Sequence, residues 1–308
     1  MPSNILARME ICPRPETKLV TNRHQWLTAD AVALMGEEMI AGDEGPTVLF
    51  AHGFGQTRQS WSGAQSALAL EGIGSIAWDM RGHGESGRNP EALHYRAEQF
   101  AEDVHLISKQ FKQKPLLVGA SMGGLTGMMV QAMHSAFSAL VLVDVTPRWE
   151  IAGVARIMAF MNAFPYGFDS YEHAADVIAN YLPHRRERKS SKQLQFLLRE
   201  QDGRLMWHWD RRMLSEFVED SEHLQDDIRE AARQIKVPTL LISGGKSDIV
   251  SEHTVADFLE LVPHAQHHHL PDATHMVAGD DNDAFNDTLL NFKRTLSPQP
   301  YAVTGVSP

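Results

Sequence analysis

The sequence has little of several features that would direct it to particular classes of protein. One cysteine, Cys12, in 308 residues excludes an intramolecular disulfide and a cysteine-only metal cluster, and it is compatible with a reducing compartment. No run of 18 apolar residues predicts a membrane span, and residues 1–10 lack the apolar core of a signal peptide. The 28 basic residues against 39 acidic ones, a net charge of −11, argue against binding to nucleic-acid phosphates or anionic lipids. We therefore expect a cytoplasmic protein without nucleic-acid or membrane partners, and the oligomeric state is left open.

The features that are present predict an α/β fold. Hydrophobic residues make up 43% of the chain and charged residues 22%, as in ordinary globular enzymes. Short apolar runs alternate with helix-like segments, which is typical of βαβ units in a doubly wound parallel sheet. The predicted strands lie at 47–51, 73–78, 115–118, 139–143 and 237–242, with an edge pair at 24–27 and 31–40, and the predicted helices at 60–71, 95–111, 122–135, 252–262 and 284–296.

The alternation stops between residues 144 and 237. This stretch shows no convincing strand and contains segments rich in Met, Phe, Trp and Arg, so we predict an all-helical lid over the carboxyl ends of the strands. The tail at 298–308 contains three prolines and no apolar periodicity, which predicts a mobile segment.

The strongest chemical signal surrounds Ser121. Gly119-Ala-Ser121-Met-Gly123-Gly124 follows a predicted buried strand and opens a predicted helix, the context that a G-x-S-x-G nucleophile elbow requires. Such a sharp turn crowds its neighbours, so glycine is needed two residues before and two residues after the nucleophile. The N-terminus of the following helix favours developing negative charge.

A serine nucleophile needs a base, and the base needs an orienting carboxylate. Asp248 follows the strand predicted to end near Ser243, and His275 follows a further predicted strand at 267–270. Ser…Asp…His is the chain order of the α/β-hydrolase triad. Asp144, which also ends a predicted strand, is the alternative acid; because Pro147 leads the chain away into the lid, Asp248 is preferred.

These motifs resemble those of the α/β-hydrolase superfamily over residues 17–296. His52-Gly-Phe-Gly55 resembles the family's oxyanion loop, and the segment 78–86 resembles its D-x-R-G-x-G-x-S turn. The resemblance implies that the backbone N–H groups of Phe54 and Met122 hold the oxyanion. It also implies a mostly parallel eight-stranded sheet with helices on both faces, a core domain at 17–145 and 234–296, a helical cap at 146–233 inserted after the sixth strand, and terminal extensions at 1–16 and 297–308. The family usually has a glycine where this chain has Thr274.

Other residues receive less specific interpretations. Consecutive strand residues point to alternate faces, so the histidines at 267–269 cannot converge on one metal ion and are interpreted as surface residues. No metal and no cofactor are expected. Candidate residues of a mainly apolar substrate pocket are Met158, Met161, Phe164, Trp207 and Trp209.

The sequence therefore predicts a serine hydrolase that cleaves an ester or related acyl bond of a small, mainly apolar substrate, as a carboxylesterase or lactonase does, through an acyl-enzyme. Serine at the elbow excludes epoxide opening and dehalogenation, because an ether formed on Ser121 could not be released by water. Carbon–carbon bond hydrolases and cofactor-free perhydrolases use the same triad and remain alternatives. A non-catalytic binding protein on a hydrolase scaffold is the alternative of a different class.

Overall fold

A computed structural model describes residues 19–42, 45–181, 189–219, 221–275, 277 and 282–296. The terminal extensions predicted at 1–16 and 297–308, and the mobility predicted for the tail, lie outside the described residues. None of the helices in the described ranges combines the length and the apolar character needed to cross a bilayer.

Eight of the ten strands in the described ranges form one sheet in the order β1-β2-β4-β3-β5-β6-β9-β10. Strands β1 and β2 pair antiparallel to each other, as does β2 with β4, and the remaining pairs are parallel. The strands are β1 (Val20–Leu27), β2 (Ala33–Ile40), β3 (Val48–Ala51), β4 (Ser75–Asp79), β5 (Leu116–Ala120), β6 (Ala139–Val143), β7 (Leu198–Gln201), β8 (Arg204–Trp207), β9 (Thr239–Lys246) and β10 (Gln266–Thr274). The predicted eight-stranded, mostly parallel sheet is confirmed.

Helices cover both faces of this sheet. The helices of the described ranges, including those between β6 and β9, are α1 (Ser62–Leu70), α2 (Ala97–Ser108), α3 (Met122–His134), α4 (Ile151–Asn162), α5 (Tyr171–Tyr181), α6 (Ser191–Leu194), α7 (Arg212–Glu219), α8 (Ser221–Arg233), α9 (Glu252–Leu261) and α10 (Asn282–Leu296). Alternate residues of one strand serve the two faces: Val48 and Phe50 of β3 pack in the layer that contains Phe285 of α10, while Leu49 and Ala51 pack in the other layer. Because both faces are buried, the central strands consist almost entirely of apolar residues.

The segment between β6 and β9, hereafter the cap, contains two strands besides its helices, so the prediction that this segment contains no strand is wrong. Strands β7 and β8 pair antiparallel, and Phe168 adds a bridge to Leu205. They are joined by Asp202 and Gly203, which have φ values of +52° and +74°. An Asp-Gly pair with two positive φ angles makes the tight turn that suits the twist of a hairpin. The segment 207–210, also expected to be helical, ends β8 and continues as a loop.

Helix α8 connects the cap to the core. It lies within the range 146–233 predicted for the cap, but it packs against α3 and α9 of the core. The last part of the predicted cap therefore also packs on α3, the helix that begins directly after Ser121.

Candidate active site

Ser121 lies between the end of β5 and the start of α3. Its backbone has φ +46° and ψ −120°, a strained conformation for a residue with a side chain. The elbow is held by hydrogen bonds from the Ser121 N–H to the Val143 carbonyl (3.2 Å) and from the N–H groups of Gly124 and Leu125 to the Ser121 carbonyl. Backbone strain fixed in this way raises the half-buried side chain above the carboxyl edge of the sheet.

Glycine is required on both sides of Ser121 by close contact. A Cβ on Gly119 would lie 2.7 Å from the backbone of Gly123, and a Cβ on Gly123 would overlap the carbonyl of Ala51 in β3. Strand β5 and helix α3 can therefore meet at this angle only when both residues lack a side chain.

His275 follows β10 directly and makes a hydrogen bond to Asp144. Its Nδ1 lies 2.7 Å from Asp144 Oδ2, and the His275 side chain is 20% exposed, whereas that of Asp144 is fully buried. A carboxylate can only accept, so Nδ1 carries the proton and donates it, which leaves a lone pair on Nε2. Both Ser121 and His275 line the same cavity.

The structure corrects the predicted acid. Asp248 does not meet His275; its side chain is 41% exposed and pairs with Arg156 of the cap at 3.5 Å. The predicted strand ended near Ser243, but β9 continues to Lys246, and three further residues carry the chain about 10 Å outward at about 3.3 Å each. The carbonyl of Asp248 then packs against Gly153 of α4, where a Cβ would overlap it.

Asp144 reaches His275 because its backbone turns sharply at the end of β6. Its φ is +48°, a conformation that Asp tolerates better than most residues. The carboxylate accepts the Gly244 N–H on Oδ1 (2.9 Å) and the Ser247 hydroxyl on Oδ2 (2.5 Å). The loop after β9 thus supplies donors to the acid. Sequence reasoning missed Ser247, although its position just before Asp248 could have marked it as a partner of a carboxylate.

The predicted oxyanion loop borders Ser121. A Cβ on Gly53 would lie 3.2 Å from Ser121 Cβ, so the backbone of this loop runs beside the serine. Met122 is the first residue of α3, and N–H groups in the first turn of a helix have no acceptor within the helix. These positions suit the predicted roles of Phe54 and Met122, which stay predictions.

Three buried histidines surround residues 53–55, and each has a tautomer fixed by backbone groups. His52 Nε2 accepts the Met80 N–H (2.9 Å) and its Nδ1 donates to the Gly53 carbonyl (2.8 Å). Nε2 of His83 accepts the Gly55 N–H (3.2 Å), and its Nδ1 donates to a carbonyl in the same turn at 3.1 Å. Burial lowers the pKa of both imidazoles, so both are neutral.

The third histidine, His208, comes from the cap. It lies in the loop after β8, where its Nδ1 accepts the Gly84 N–H (2.7 Å) and its Nε2 donates to the Gly55 carbonyl (3.2 Å). Burial lowers its pKa to about 3. No local sequence signal marks this residue, because its partners lie more than 120 positions away.

A cavity of about 850 Å³ opens between the sheet edge and the cap. Side chains from α3, α4, α5 and α8 and from the loop before α4 line it, and most of them are apolar, among them Leu125, Met129, Trp149, Ile157, Met158, Phe160 and Ile228. Charged residues at this cavity include Arg156, Lys246 and Asp248.

Three of the five predicted pocket residues line this cavity: Met158, Met161 and Trp207. The other two predictions are wrong. Phe164 stacks on Phe168 within the cap, with ring centroids 4.9 Å apart, because the hairpin provides the cap with a small core of its own. Trp209 is buried against the Phe54 ring at 5.0 Å.

The consecutive histidines of β10 are exposed, as predicted. Two of them, His267 and His269, share one face and contact the Ser243 hydroxyl at 2.8 Å and 3.3 Å. Within the described ranges, no three His, Cys, Asp or Glu side chains are grouped so that they could hold a metal ion.

Comparison with known proteins identifies the family. The sequence pattern of the α/β-hydrolase fold family matches residues 46–281. The chain belongs to this family. It is accordingly an enzyme of the hydrolase class, and the family resemblance seen in the motifs is confirmed.

Similar proteins include esterases and lipases. An esterase of Mycobacterium tuberculosis is 27% identical over 255 residues, which cover 78% of this chain and 80% of that protein. An sn-1-specific diacylglycerol lipase of Danio rerio is 28% identical over 265 residues, 82% of this chain and 79% of that protein. Among solved structures, E-2-(acetamidomethylene)succinate hydrolase superposes with a TM-score of 0.76 at 22% identity, over 90% of this chain and 100% of that one, which supports the fold.

Proposed function

We propose that the protein is a carboxylic ester hydrolase in which Ser121, His275 and Asp144 form the catalytic triad. The observation that carries the proposal is the 2.7 Å hydrogen bond between His275 Nδ1 and the buried Asp144 carboxylate, at the cavity that Ser121 also lines. Relatives named as an esterase and a lipase support ester hydrolysis as the reaction.

In this mechanism the Ser121 hydroxyl attacks the ester carbonyl while its proton passes to His275 Nε2, the nitrogen left with a lone pair. Asp144 stabilises the imidazolium and keeps the ring in the required tautomer. The N–H groups of Phe54 and Met122 bind the negatively charged oxygen of the tetrahedral intermediate. The imidazolium then gives its proton to the departing alcohol, and the acyl group stays on Ser121.

Water completes the cycle by the same route. His275 removes a proton from the water as its oxygen attacks the acyl-enzyme, and then returns the proton to Ser121 Oγ as the carboxylic acid leaves. Every proton is transferred by residues of this chain.

The cavity indicates the substrate class. Its mostly apolar lining and its volume of about 850 Å³ suit an uncharged acyl group of short to medium length. Flexible methionines such as Met129, Met158 and Met161 adapt to varied hydrophobic shapes. We therefore expect uncharged esters or lactones to be better substrates than phosphorylated or CoA-linked ones, which the net charge of −11 also repels.

The proposal is tested by replacing Ser121. A fluorophosphonate probe should label the wild-type protein once, at Ser121, and Ser121→Ala should abolish both labelling and hydrolysis of a short p-nitrophenyl ester. Circular dichroism serves as the control for folding. Activity of Ser121→Ala within tenfold of the wild type would contradict the mechanism. Turnover of a carbon–carbon substrate or a peracid substrate in preference to all esters would contradict the assigned reaction.

A further inference from the structure

Residues 53–56 form a tight turn in which each peptide group is held. The Gly53 carbonyl accepts from His52 Nδ1 (2.8 Å) and from the Gln56 N–H (3.1 Å). The Gly53 N–H donates to the Gln56 side chain at 3.0 Å. Because a peptide group is planar, fixing the direction of the Gly53 carbonyl also fixes the direction of the Phe54 N–H, which belongs to the same plane.

The next two peptide groups are held by histidines from different parts of the molecule. His83, in the core, accepts the Gly55 N–H. His208, in the cap, donates to the Gly55 carbonyl. The Gly55 carbonyl and the Gln56 N–H are the two ends of one peptide group, so the bond from His208 stabilises the N–H that closes the turn on Gly53.

We propose that His208 is a positioning residue for the oxyanion loop: its Nε2–H, supplied by the cap, holds the Gly55 carbonyl and so keeps the Phe54 N–H directed at the reacting oxygen. This inference rests on the proposed function, since it assumes that Phe54 binds an oxyanion. It makes the cap a part of the apparatus that stabilises the transition state, in addition to its contribution to the walls of the cavity.

The surroundings of His208 favour this one arrangement. The Gly84 N–H can only donate, so Nδ1 must accept, and the single proton of the neutral ring is left on Nε2. Burial holds the pKa of His208 at about 3, while nearby Arg88 and His52 also disfavour its protonation. The imidazole therefore keeps both bonds throughout the neutral range.

Adjacent bonds hold the segment that carries His208 against the core. The Asp210 N–H donates to the Gly82 carbonyl (2.8 Å), and the Tyr95 hydroxyl donates to the Asp210 carboxylate (2.9 Å). Trp209 covers the Phe54 ring from the same segment. His208 thus reaches Gly55 from a fixed platform, which is what a positioning residue requires.

Two substitutions separate the two bonds of His208. In His208→Asn, the amide oxygen occupies the place of Nδ1 and can still accept from Gly84, but nothing reaches Gly55. In His208→Gln, the longer amide can donate to the Gly55 carbonyl. We expect His208→Asn to lower kcat by about 10- to 100-fold and to change KM less than threefold. The loss of a whole oxyanion donor lowers kcat by about 10²- to 10³-fold, and a donor that is only misdirected should cost less. His208→Gln should restore kcat to within about threefold of the wild type.

Two further measurements distinguish positioning from general stability. Affinity for a trifluoromethyl ketone, which forms an oxyanion on Ser121, should fall in His208→Asn in parallel with kcat/KM. Glu216→Ala, which removes the acceptor of the Tyr95 N–H and so a bond between core and cap outside residues 207–210, is the matched control and should lower the melting temperature without lowering kcat. Equal kcat in the Asn and Gln variants, or an unchanged kcat in His208→Asn, would overturn the proposal.

A measurement that does not depend on catalysis tests this inference separately from the proposed function. Hydrogen exchange in the segment 53–56 should accelerate about tenfold in His208→Asn and return to the wild-type rate in His208→Gln. If the wild type hydrolyses no ester, the proposed function fails, but this exchange pattern still shows whether His208 holds the loop. Unchanged exchange in His208→Asn would refute that holding role.

Discussion

Two neighbouring loops at the carboxyl edge of the sheet each carry an aspartate, and they use it differently. The loop after β6 holds Asp144 fully buried, with three donors on its carboxylate: Gly244 N–H, Ser247 O–H and His275 N–H. The loop after β9 holds Asp248 41% exposed, facing Arg156 of the cap, which is itself 59% exposed.

The difference between these loops lies in solvation. A buried carboxylate is tolerated only when its oxygens are saturated with donors, and once saturated it is held in one orientation. An exposed ion pair contributes about 0–1 kcal/mol and leaves both side chains mobile. Asp144 can therefore fix the ring of His275, while Asp248 pairs with Arg156 of the cap.

The largest effect that would test this comparison is expected from Asp144→Asn. Gly244 and Ser247 already direct a donor at each oxygen of Asp144. The amide of an asparagine can take two orientations. With its NH2 group in the place of Oδ1, two donors face each other, because Gly244 N–H points there. With its NH2 group in the place of Oδ2, it donates to His275 Nδ1 and so reverses the tautomer of that ring. We expect kcat to fall by up to about 10⁴-fold while the fold persists. Steady-state kinetics with circular dichroism on the same samples measure both; a kcat within tenfold of the wild type would remove Asp144 from the triad.

An intermediate effect is expected from Ser247→Ala, which removes one of the three donors. Its hydroxyl donates to the same Oδ2 that His275 contacts and also accepts the N–H groups of Ile249 and Val250. We expect kcat to fall by about 3- to 10-fold and the free energy of unfolding by about 1–2 kcal/mol. Ser247→Thr keeps the hydroxyl and should restore kcat. A threonine variant as impaired as the alanine variant would show that the hydroxyl is not what matters.

The smallest effect is expected from Asp248→Asn, the same chemical change in the other loop. Only an exposed pair with Arg156 is lost, so kcat on an uncharged ester should stay within about twofold of the wild type. The free energy of unfolding should change by less than about 1 kcal/mol in urea titrations. A loss of more than 100-fold here, with Asp144→Asn nearly intact, would reverse the comparison.

The fold could be predicted because its signals are local. Each central strand is buried on both faces and therefore reads as a continuous apolar run, and the elbow at Ser121 carries its glycines within five residues. The hairpin β7–β8 could have been predicted too, since Asp202-Gly203 is a strong turn signal. It was missed because β7 is largely polar and exposed, and so lacks an apolar run.

Which aspartate lies beside His275 could not be chosen reliably from the sequence. Both Asp144 and Asp248 follow apolar strands, and the choice depends on where β9 ends and on the positive φ of Asp144. Both are set by tertiary contacts: β9 is extended by its pairing with β10 up to Lys246, and Asp144 is turned by donors from the β9 loop. The contact of His208 with Gly55 was even less predictable from the sequence, since the two residues are 153 positions apart.

The three neutral histidines around the oxyanion loop bear on how the protein responds to acid. Burial lowers the pKa of His52, His83 and His208, whereas an unfolded histidine titrates near 6.5. Below that pH the unfolded chain binds protons that the folded chain refuses, so proton uptake drives unfolding. Each such group lowers the free energy of unfolding by up to about 1.4 kcal/mol per pH unit below 6.5, until its own folded pKa is reached.

This linkage predicts that the enzyme is less stable in mildly acidic solution, and that the cap is involved. The Asp79 carboxylate offsets part of the effect at His52, while Arg58 and Arg88 add to it at His52, His83 and His208. The free energy of unfolding, measured in urea at pH 7.5, 6 and 5, should decrease steadily, and His208→Gln should reduce the slope by one proton. A free energy of unfolding that does not change over this pH range would mean that water reaches these imidazole rings. The same buried imidazoles that hold residues 53–56 at neutral pH thus make the folded enzyme less tolerant of acid.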